Sequence, residues 1–130
     1  MFNLNEVCVI AYENAAKREA KDGKVSTDTM QMLKHTATEV VEATEAYVNY
    51  SALKQLGDMK KDGEAMFEGL EEPDAAYQSF CEDREHFASE LADIICCILI
   101  IAGKERIDME YALTECMEKN YKRAIGEGDK

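Results

Sequence analysis

Apolar residues recur with helical spacing along most of this chain. In the N-terminal segment they occupy Leu4, Val7, Ile10, Ala11 and Ala15. The same spacing returns further on, at Met30, Leu33, Ala37, Val40, Val41, Tyr47 and Val48. A period near 3.6 residues is typical of amphipathic α-helices. The pattern therefore predicts helices and not strands.

Capping residues predict where the first helices begin and end. We expect the first helix to start at Asn3 or Asn5, because asparagine is a favoured N-cap. Gly23 should end it, since glycine accepts the left-handed conformation found after helices. Ser26 and Thr27 are the expected N-caps of the second helix.

The second predicted helix runs to about Leu56, and the charged, glycine-containing segment Gly57–Glu72 is expected to be a loop with one helical turn at most. A third helix should begin at Pro73, because proline is well tolerated in the first turn. We expect Gly103 to close this helix, which the pattern allows to break near Cys81–Asp83.

The last predicted helix has Asp108 as its N-cap and runs to about Ile125, where Gly126 should stop it. Neither an internal repeat nor an interdomain linker is evident. We therefore expect one all-α domain over residues 1–130, folded as a bundle of four or five helices.

Composition supports the helical prediction and limits the partners. The 130 residues include one proline and seven glycines, so strong helix breakers are few. The net charge of −12 provides no basic surface that would release counterions from DNA, RNA or an anionic membrane. We therefore expect no nucleic-acid and no membrane partner. The charge suits a protein that collects cations.

The cysteines and the apolar runs favour a cytoplasmic protein. The five cysteines are odd in number and lack C-x-x-C spacing, which favours free thiols in a reducing compartment. The N-terminal segment MFNLNEVCVI lacks the basic and apolar regions of a signal peptide. The longest strictly apolar run, Ile94–Ala102, has about half the length that a membrane span needs.

Two pairs of acids lie within the strongest apolar periodicity. Glu39 and Glu42 are three residues apart, so they share a helix face, and Glu90 and Asp93 repeat this arrangement on the third helix. Carboxylates about 5 Å apart repel by roughly 3 kcal/mol at an effective dielectric near 20. If the pairs face each other, protons or cations must compensate them. The alternative is that these acids line a solvated groove.

Oxygen-only ligation would favour Mg²⁺ or Mn²⁺, which typically share a site with substrate phosphates. Zinc is disfavoured because no cysteine or histidine has ligand spacing. A carboxylate-bridged di-iron centre needs a Glu-x-x-His motif, which is lacking. His35 and His86 each stand one turn before an acid pair. Such histidines are usually hydrogen-bonded surface or packing residues, and the alternative is that they touch a substrate.

The segments EVVE, ELAD and ECMEKNYKR, in this order, resemble the motifs of the MazG-like all-α NTP pyrophosphohydrolases. That superfamily includes dimeric dUTPases, dCTP pyrophosphatases and phosphoribosyl-ATP pyrophosphohydrolases. Its pattern is Glu-Glu-x-x-Glu, then Glu-x-x-Asp, then a late helix that often carries Lys, Asn and Arg. The resemblance covers about Met30 to Arg123. Thr38 replaces the family's first glutamate, and the interval from Glu42 to Glu90 is longer than in compact members.

The third helix is apolar all round from beyond Asp93 as far as Ala102, and one subunit has few helices to surround it, so we expect a homo-oligomer. The resemblance implies a homodimer or homotetramer, with Mg²⁺ or alternatively Mn²⁺ as cofactor. It implies four metal ligands, which are Glu39, Glu42, Glu90 and Asp93. It implies contacts to phosphate or to the metal shell for Lys119, Asn120 and Arg123. Glu39 or Glu42 would orient the attacking water or accept its proton.

The implied reaction is hydrolysis of a nucleoside or deoxynucleoside triphosphate to the monophosphate and pyrophosphate, for sanitation or control of the nucleotide pool. Two alternatives stay open. One is a non-catalytic acidic helical module that binds a protein or nucleotide without turnover. The other is a pyrophosphohydrolase that acts on a phosphoribosyl-linked nucleotide.

Overall fold

The computed structural model describes residues 3–58 and 73–127, and all regular structure in these two ranges is α-helical. The helices are α1 (Leu4–Asp22), α2 (Thr29–Asp58), α3 (Pro73–Lys104) and α4 (Met109–Ala124). The all-α prediction is confirmed for this part of the chain. The oligomeric state and the particular type of bundle stay predictions.

The chain divides into two compact units. One comprises Met1–Leu33 together with Cys96–Lys130, and the other comprises Lys34–Ile95. Helices α2 and α3 each contribute residues to both units. The expectation of a single domain over residues 1–130 stays a prediction.

Two asparagines cap two different helices in the first unit. Asn3 is the N-cap of α1, as predicted, and its Oδ1 accepts the backbone N–H of Asn5 at 3.0 Å. The Asn5 side chain instead reaches α4, where Nδ2 donates to Asp108 Oδ1 at 2.8 Å and Oδ1 accepts the Met109 N–H at 2.9 Å. Asp108 is the N-cap of α4, which confirms that prediction. Its bond from Asn5 lowers the pKa of the Asp108 carboxyl.

The N-cap predicted for α2 is wrong. Asp28 caps this helix through Oδ2, which accepts the Gln31 N–H at 3.0 Å. Thr27 is engaged elsewhere, because its N–H and its hydroxyl both donate to the Glu19 carboxylate, at 2.6 and 3.1 Å. Ser26 accepts the Asp28 N–H at 3.2 Å. A carboxylate from α1 thus holds the connection and moves the helix start beyond Ser26 and Thr27.

Helix α3 starts at Pro73, as predicted, but it does not break near Cys81–Asp83 and does not end at Gly103. Gly103 lies inside the last turn, where α1 approaches closely. A Cβ added at this position would lie 2.2 Å from the Cys8 carbonyl oxygen and 2.9 Å from the Tyr12 Cβ. Glycine is needed there because two helix backbones are in contact. The left-handed residue after α3 is Arg106, with φ of 55°.

Glycines follow α1 and α4, as predicted. Gly23 has φ of 66° and donates its N–H to the Glu19 carbonyl at 2.9 Å. Gly126 has φ of 81° and follows Ile125, the C-cap of α4. Helix α2 continues through Gly57 and Asp58, the first two residues of the predicted Gly57–Glu72 loop. The remainder of that loop lies outside the described residues.

Small and acidic residues line the buried face of α2 in the second unit. Glu39, Ala43 and Ala46 are buried, whereas the apolar side chains of Val41 and Val48 are more than half exposed. The valines of the predicted apolar face therefore point outward in the single chain. The small alanines allow a second helix to approach the acid.

By length and composition, the Tyr77–Lys104 part of α3 suffices to cross a membrane. Core helices of soluble proteins can meet the same two criteria. Only 11% of its most apolar stretch is buried within the chain. Most residues of this stretch are therefore not fully buried within the chain.

Candidate metal centre

Helices α2 and α3 run antiparallel where they meet in the second unit. The Tyr47 and Phe87 rings lie 5.3 Å apart between centroids, and so do the Tyr50 and Phe80 rings. Later positions on α2 thus meet earlier positions on α3. The guanidinium carbon of Arg84 lies 5.8 Å from the centroid of Phe80, within cation–π distance. The aromatic contacts fix the register that brings the acids together.

Three carboxylates from these two helices converge. Ligand oxygens of Glu39, Glu42 and Glu90 all lie within 4.8 Å of one another. Oxygens on opposite sides of one bound cation are about 4.2 Å apart for Mg²⁺ and about 5 Å apart for Ca²⁺. The three acids can therefore ligate a single divalent cation after small side-chain rotations. Their oxygen donors fit a hard cation.

Glu39 is buried and Glu90 is half-buried, and one oxygen of each carboxylate is shielded from solvent. The side chains of Glu39 and Glu90 are 11% and 14% exposed. Among the described residues, neither Glu39 Oε2 nor Glu90 Oε2 receives a hydrogen bond, and both atoms are buried. A buried carboxylate oxygen without a donor is unfavourable unless a proton or a cation compensates it. These two oxygens are the strongest observation in favour of a cation site.

The electrostatics of Glu39 agree with this geometry. Burial raises the pKa of its carboxyl, and the charge of Glu42 raises the pKa further. A hydrogen bond with the Glu42 side chain acts in the same direction and forms only when one of the two carboxyls carries a proton. His35 lowers the pKa, and the charge of Asp93 raises it. Without a cation, the cluster therefore retains a proton more readily than an isolated glutamate does.

Asp93 stands apart from the other acids predicted as ligands. It is exposed and does not belong to the group of three converging carboxylates, although its charge acts on Glu39. Asp93 is thus placed beside the cluster. A direct metal contact by Asp93 stays a prediction.

Each histidine predicted near the acids lies against the glutamate that follows it by one turn. His35 Nε2 is 3.1 Å from Glu39 Oε1, and His86 Nε2 is 3.8 Å from Glu90 Oε1. Both histidine side chains are more than half exposed, so each covers the outer edge of a buried carboxylate. The geometry places both histidines at the cluster. Contact with a substrate stays a prediction.

The residues predicted to contact phosphate or the metal shell lie on α4, which belongs to the other compact unit. Lys119, Asn120 and Arg123 are exposed there, and Asn120 Nδ2 lies 3.8 Å from Cys116 Sγ. Their predicted contacts to phosphate or to the metal shell stay predictions.

Sequence reasoning missed one regularity of this site. The segments HTATEVVE, residues 35–42, and HFASELAD, residues 86–93, match in register. Both read His-x-Ala, then threonine or serine, then Glu-x-x-acid. The expectation of no internal repeat did not take in the alanine and hydroxyl positions that the two segments share. The match could have been found by aligning the two segments directly.

Comparison with known proteins gives no match: no family model, no curated protein and no solved structure is significantly similar to the chain. The likeness to MazG-like pyrophosphohydrolases therefore rests on the motifs of the chain itself. It stays a prediction.

Proposed function

We propose that this protein is a Mg²⁺-dependent hydrolase that converts a nucleoside or deoxynucleoside triphosphate to the monophosphate and pyrophosphate. The observation that carries the proposal is a pair of buried oxygens, Glu39 Oε2 and Glu90 Oε2, that accept no hydrogen bond from an N–H or hydroxyl group of the described residues and belong to a cluster of three carboxylates. Hard divalent cations prefer such oxygen ligands and commonly share them with phosphates. The motif resemblance supplies the reaction class.

Each acid has a defined task in this proposal. Glu39 on α2 and Glu90 on α3 would hold the cation, and the exposed Glu42 would complete the set of ligands. Asp93 adds negative charge at the edge of the cluster. Bound Mg²⁺ would polarise the phosphate oxygens and make the attacking water more acidic.

The proton of the attacking water needs an acceptor near the cluster. Glu39 and Glu42 are the candidates, because each offers a carboxylate at the cation site. Lys119 and Arg123 are one turn apart on α4 and are proposed to contact the phosphates.

We also propose that the chain works as a homo-oligomer in the cytoplasm. On α4 the apolar residues Leu113, Met117 and Tyr121 follow one stripe, and all three are exposed. Contiguous exposed apolar surface of this kind marks an interaction site more often than a free surface. A second copy offers the same apolar stripe and covers both at once, as in a two-fold dimer. Light scattering that reports a monomer would contradict this part of the proposal.

The test of the proposed reaction is pyrophosphate release from a panel of NTPs and dNTPs, canonical and modified, with Mg²⁺ and with EDTA. Wild type should release pyrophosphate from at least one nucleotide only with Mg²⁺, and Glu90→Gln should lose at least 100-fold in kcat/KM. Glu85→Gln, an exposed acid on the same helix, is the matched control and should retain full activity. A phosphoribosyl-linked nucleotide in the panel tests the alternative that this class of compound is the substrate.

Two results would contradict the reaction. Release of orthophosphate instead of pyrophosphate would move the cleavage to another bond. No release from any nucleotide, together with tight Mg²⁺ binding, would favour the binding module that keeps the acid cluster without turnover.

A further inference from the structure

The two halves of the acid cluster have the same construction. On α2, His35 lies 3.1 Å from Glu39 Oε1, and on α3, His86 lies 3.8 Å from Glu90 Oε1. In both cases the histidine is the fourth residue before the glutamate. In both cases the second carboxylate oxygen, Oε2, is buried and receives no hydrogen bond from the described residues.

This arrangement divides the tasks of the two oxygens on each glutamate. The outer oxygen, Oε1, faces an exposed imidazole, and the inner oxygen, Oε2, receives no hydrogen bond from the part of the chain that the structure describes. A carboxylate held through one oxygen cannot rotate freely about its last bonds. Its other oxygen is thereby kept in one direction. The histidines are more than half exposed, so packing needs do not explain their place beside the acids.

We propose that His35 and His86 are a matched pair of positioning residues, each of which holds Oε1 of its glutamate so that Oε2 is available to the cation. The inference rests on the proposed metal centre and adds two residues outside the ligand set. A neutral imidazole with its proton on Nε2 is a sufficient donor. Hydrogen bonds to a ligating side chain commonly change metal affinity by 10- to 100-fold.

The distances predict unequal contributions. At 3.1 Å, His35 Nε2 is within hydrogen-bond range of Glu39, whereas 3.8 Å between His86 Nε2 and Glu90 exceeds that range. His35 should therefore matter more than His86. The His86 contact has to shorten when the cation binds.

The test is Mn²⁺ affinity measured by calorimetry without nucleotide, for wild type and for His35→Leu, His35→Gln, His86→Leu and His86→Gln. Glutamine is the conservative variant, because its amide nitrogen is as many bonds from Cβ as Nε2 of histidine. We expect His35→Leu to weaken binding about ten-fold or more, His86→Leu to weaken it less, and the glutamine variants to recover most of the loss. Asn49→Leu, an exposed polar position on α2, should bind like wild type.

A second readout separates positioning from a structural role. In EDTA, the melting temperature of each histidine variant should stay within about 2 °C of wild type, because the side chains are largely exposed. Unchanged or tighter Mn²⁺ binding in His35→Leu would overturn the inference while leaving the metal centre intact. Equal loss in His35→Leu and His35→Gln would also overturn it. If wild type itself binds no Mn²⁺, the metal centre fails and the inference fails with it.

Discussion

Replacing Glu39 by glutamine should make the cation-free protein more stable and at the same time remove its response to Mg²⁺. Glutamine has nearly the same shape as a protonated glutamate, so the substitution removes charge with little change in packing. Glu39 is 9% exposed and shares the cluster with Glu42 and Glu90. We therefore expect the variant to be more stable than wild type without a cation and to gain no stability from Mg²⁺.

The magnitude follows from the separation of the charges. Burial and the nearby Glu42 carboxylate are the two largest causes of the raised pKa of Glu39, and two unit charges at about 5 Å repel by about 3 kcal/mol at an effective dielectric near 20. Solvent reaches the exposed Glu42 and screens part of this repulsion. Because relaxation and partial protonation reduce the repulsion, we expect a stabilisation of about 2 kcal/mol. For a chain of this size that is roughly 8 °C in melting temperature.

The pH dependence of folding stability also tests whether Glu39→Gln stabilises the cation-free protein. A carboxyl whose pKa is raised by folding contributes stability below its unfolded pKa, near 4.3, and this contribution is lost as pH rises through the folded pKa. At pH 4 and below, Glu39 is protonated and resembles the glutamine variant. The two proteins should therefore melt close together in acid and diverge at neutral pH.

The assay is thermal unfolding at fixed protein concentration in EDTA and in Mg²⁺, at pH 4 and at pH 7.5. Mg²⁺ at 100 times its Kd should stabilise wild type by about 2.7 kcal/mol, and should leave Glu39→Gln unchanged. Glu45→Gln, an exposed acid on α2, controls for net charge and should shift stability by less than about 0.5 kcal/mol. Destabilisation of Glu39→Gln in EDTA at pH 7.5, or a full Mg²⁺ response, would refute the reasoning.

Three further predictions concern the fold and assembly. Gly103→Ala should lower the free energy of unfolding, measured in urea, by about 2 kcal/mol, because the alanine Cβ would overlap the Cys8 carbonyl oxygen. An unchanged free energy of unfolding would exclude the close contact. Asn5→Ala should lower the free energy of unfolding by about 1 to 2 kcal/mol in the same assay, because it removes the hydrogen bonds to the start of α4. The control Asn14→Ala, at an exposed position on α1, should lower it by less than about 0.5 kcal/mol. Met117→Lys on the exposed stripe of α4 should shift light scattering from oligomer to monomer, and an unchanged mass would place the interface elsewhere.

The helices follow from the sequence because their signals are local. Periodicity, the Asn3 cap, the Pro73 start and the glycines after α1 and α4 act within a few residues. The errors came from long-range contacts. Thr27 is a good N-cap by type, but a carboxylate on α1 engages it and Asp28 caps α2 instead. Gly103 is a good helix stop by type, but α1 needs it inside the helix.

The candidate site also combines features that local sequence signals predict with features that depend on long-range packing. The spacing placed each acid pair on one helix face, and the resemblance implied that Glu39, Glu42 and Glu90 share one site. The structure brings these three together. Asp93 has the same spacing from Glu90 as Glu42 has from Glu39, yet it lies outside the converging group. Spacing fixes the face on which an acid lies. The distance across to another helix depends on the packing of that pair, which no local pattern encodes.

Binding of Mn²⁺ to the apoprotein, followed by electron paramagnetic resonance of the free ion, tests the central claim most directly. Wild type should bind Mn²⁺ and remove the free-ion signal, Mg²⁺ should compete, and Glu39→Gln with Glu90→Gln should abolish binding. The control Glu85→Gln should bind like wild type. A wild-type protein that leaves the Mn²⁺ signal unchanged at millimolar concentrations, or a double variant that binds as well as wild type, would contradict a metal centre formed by these acids.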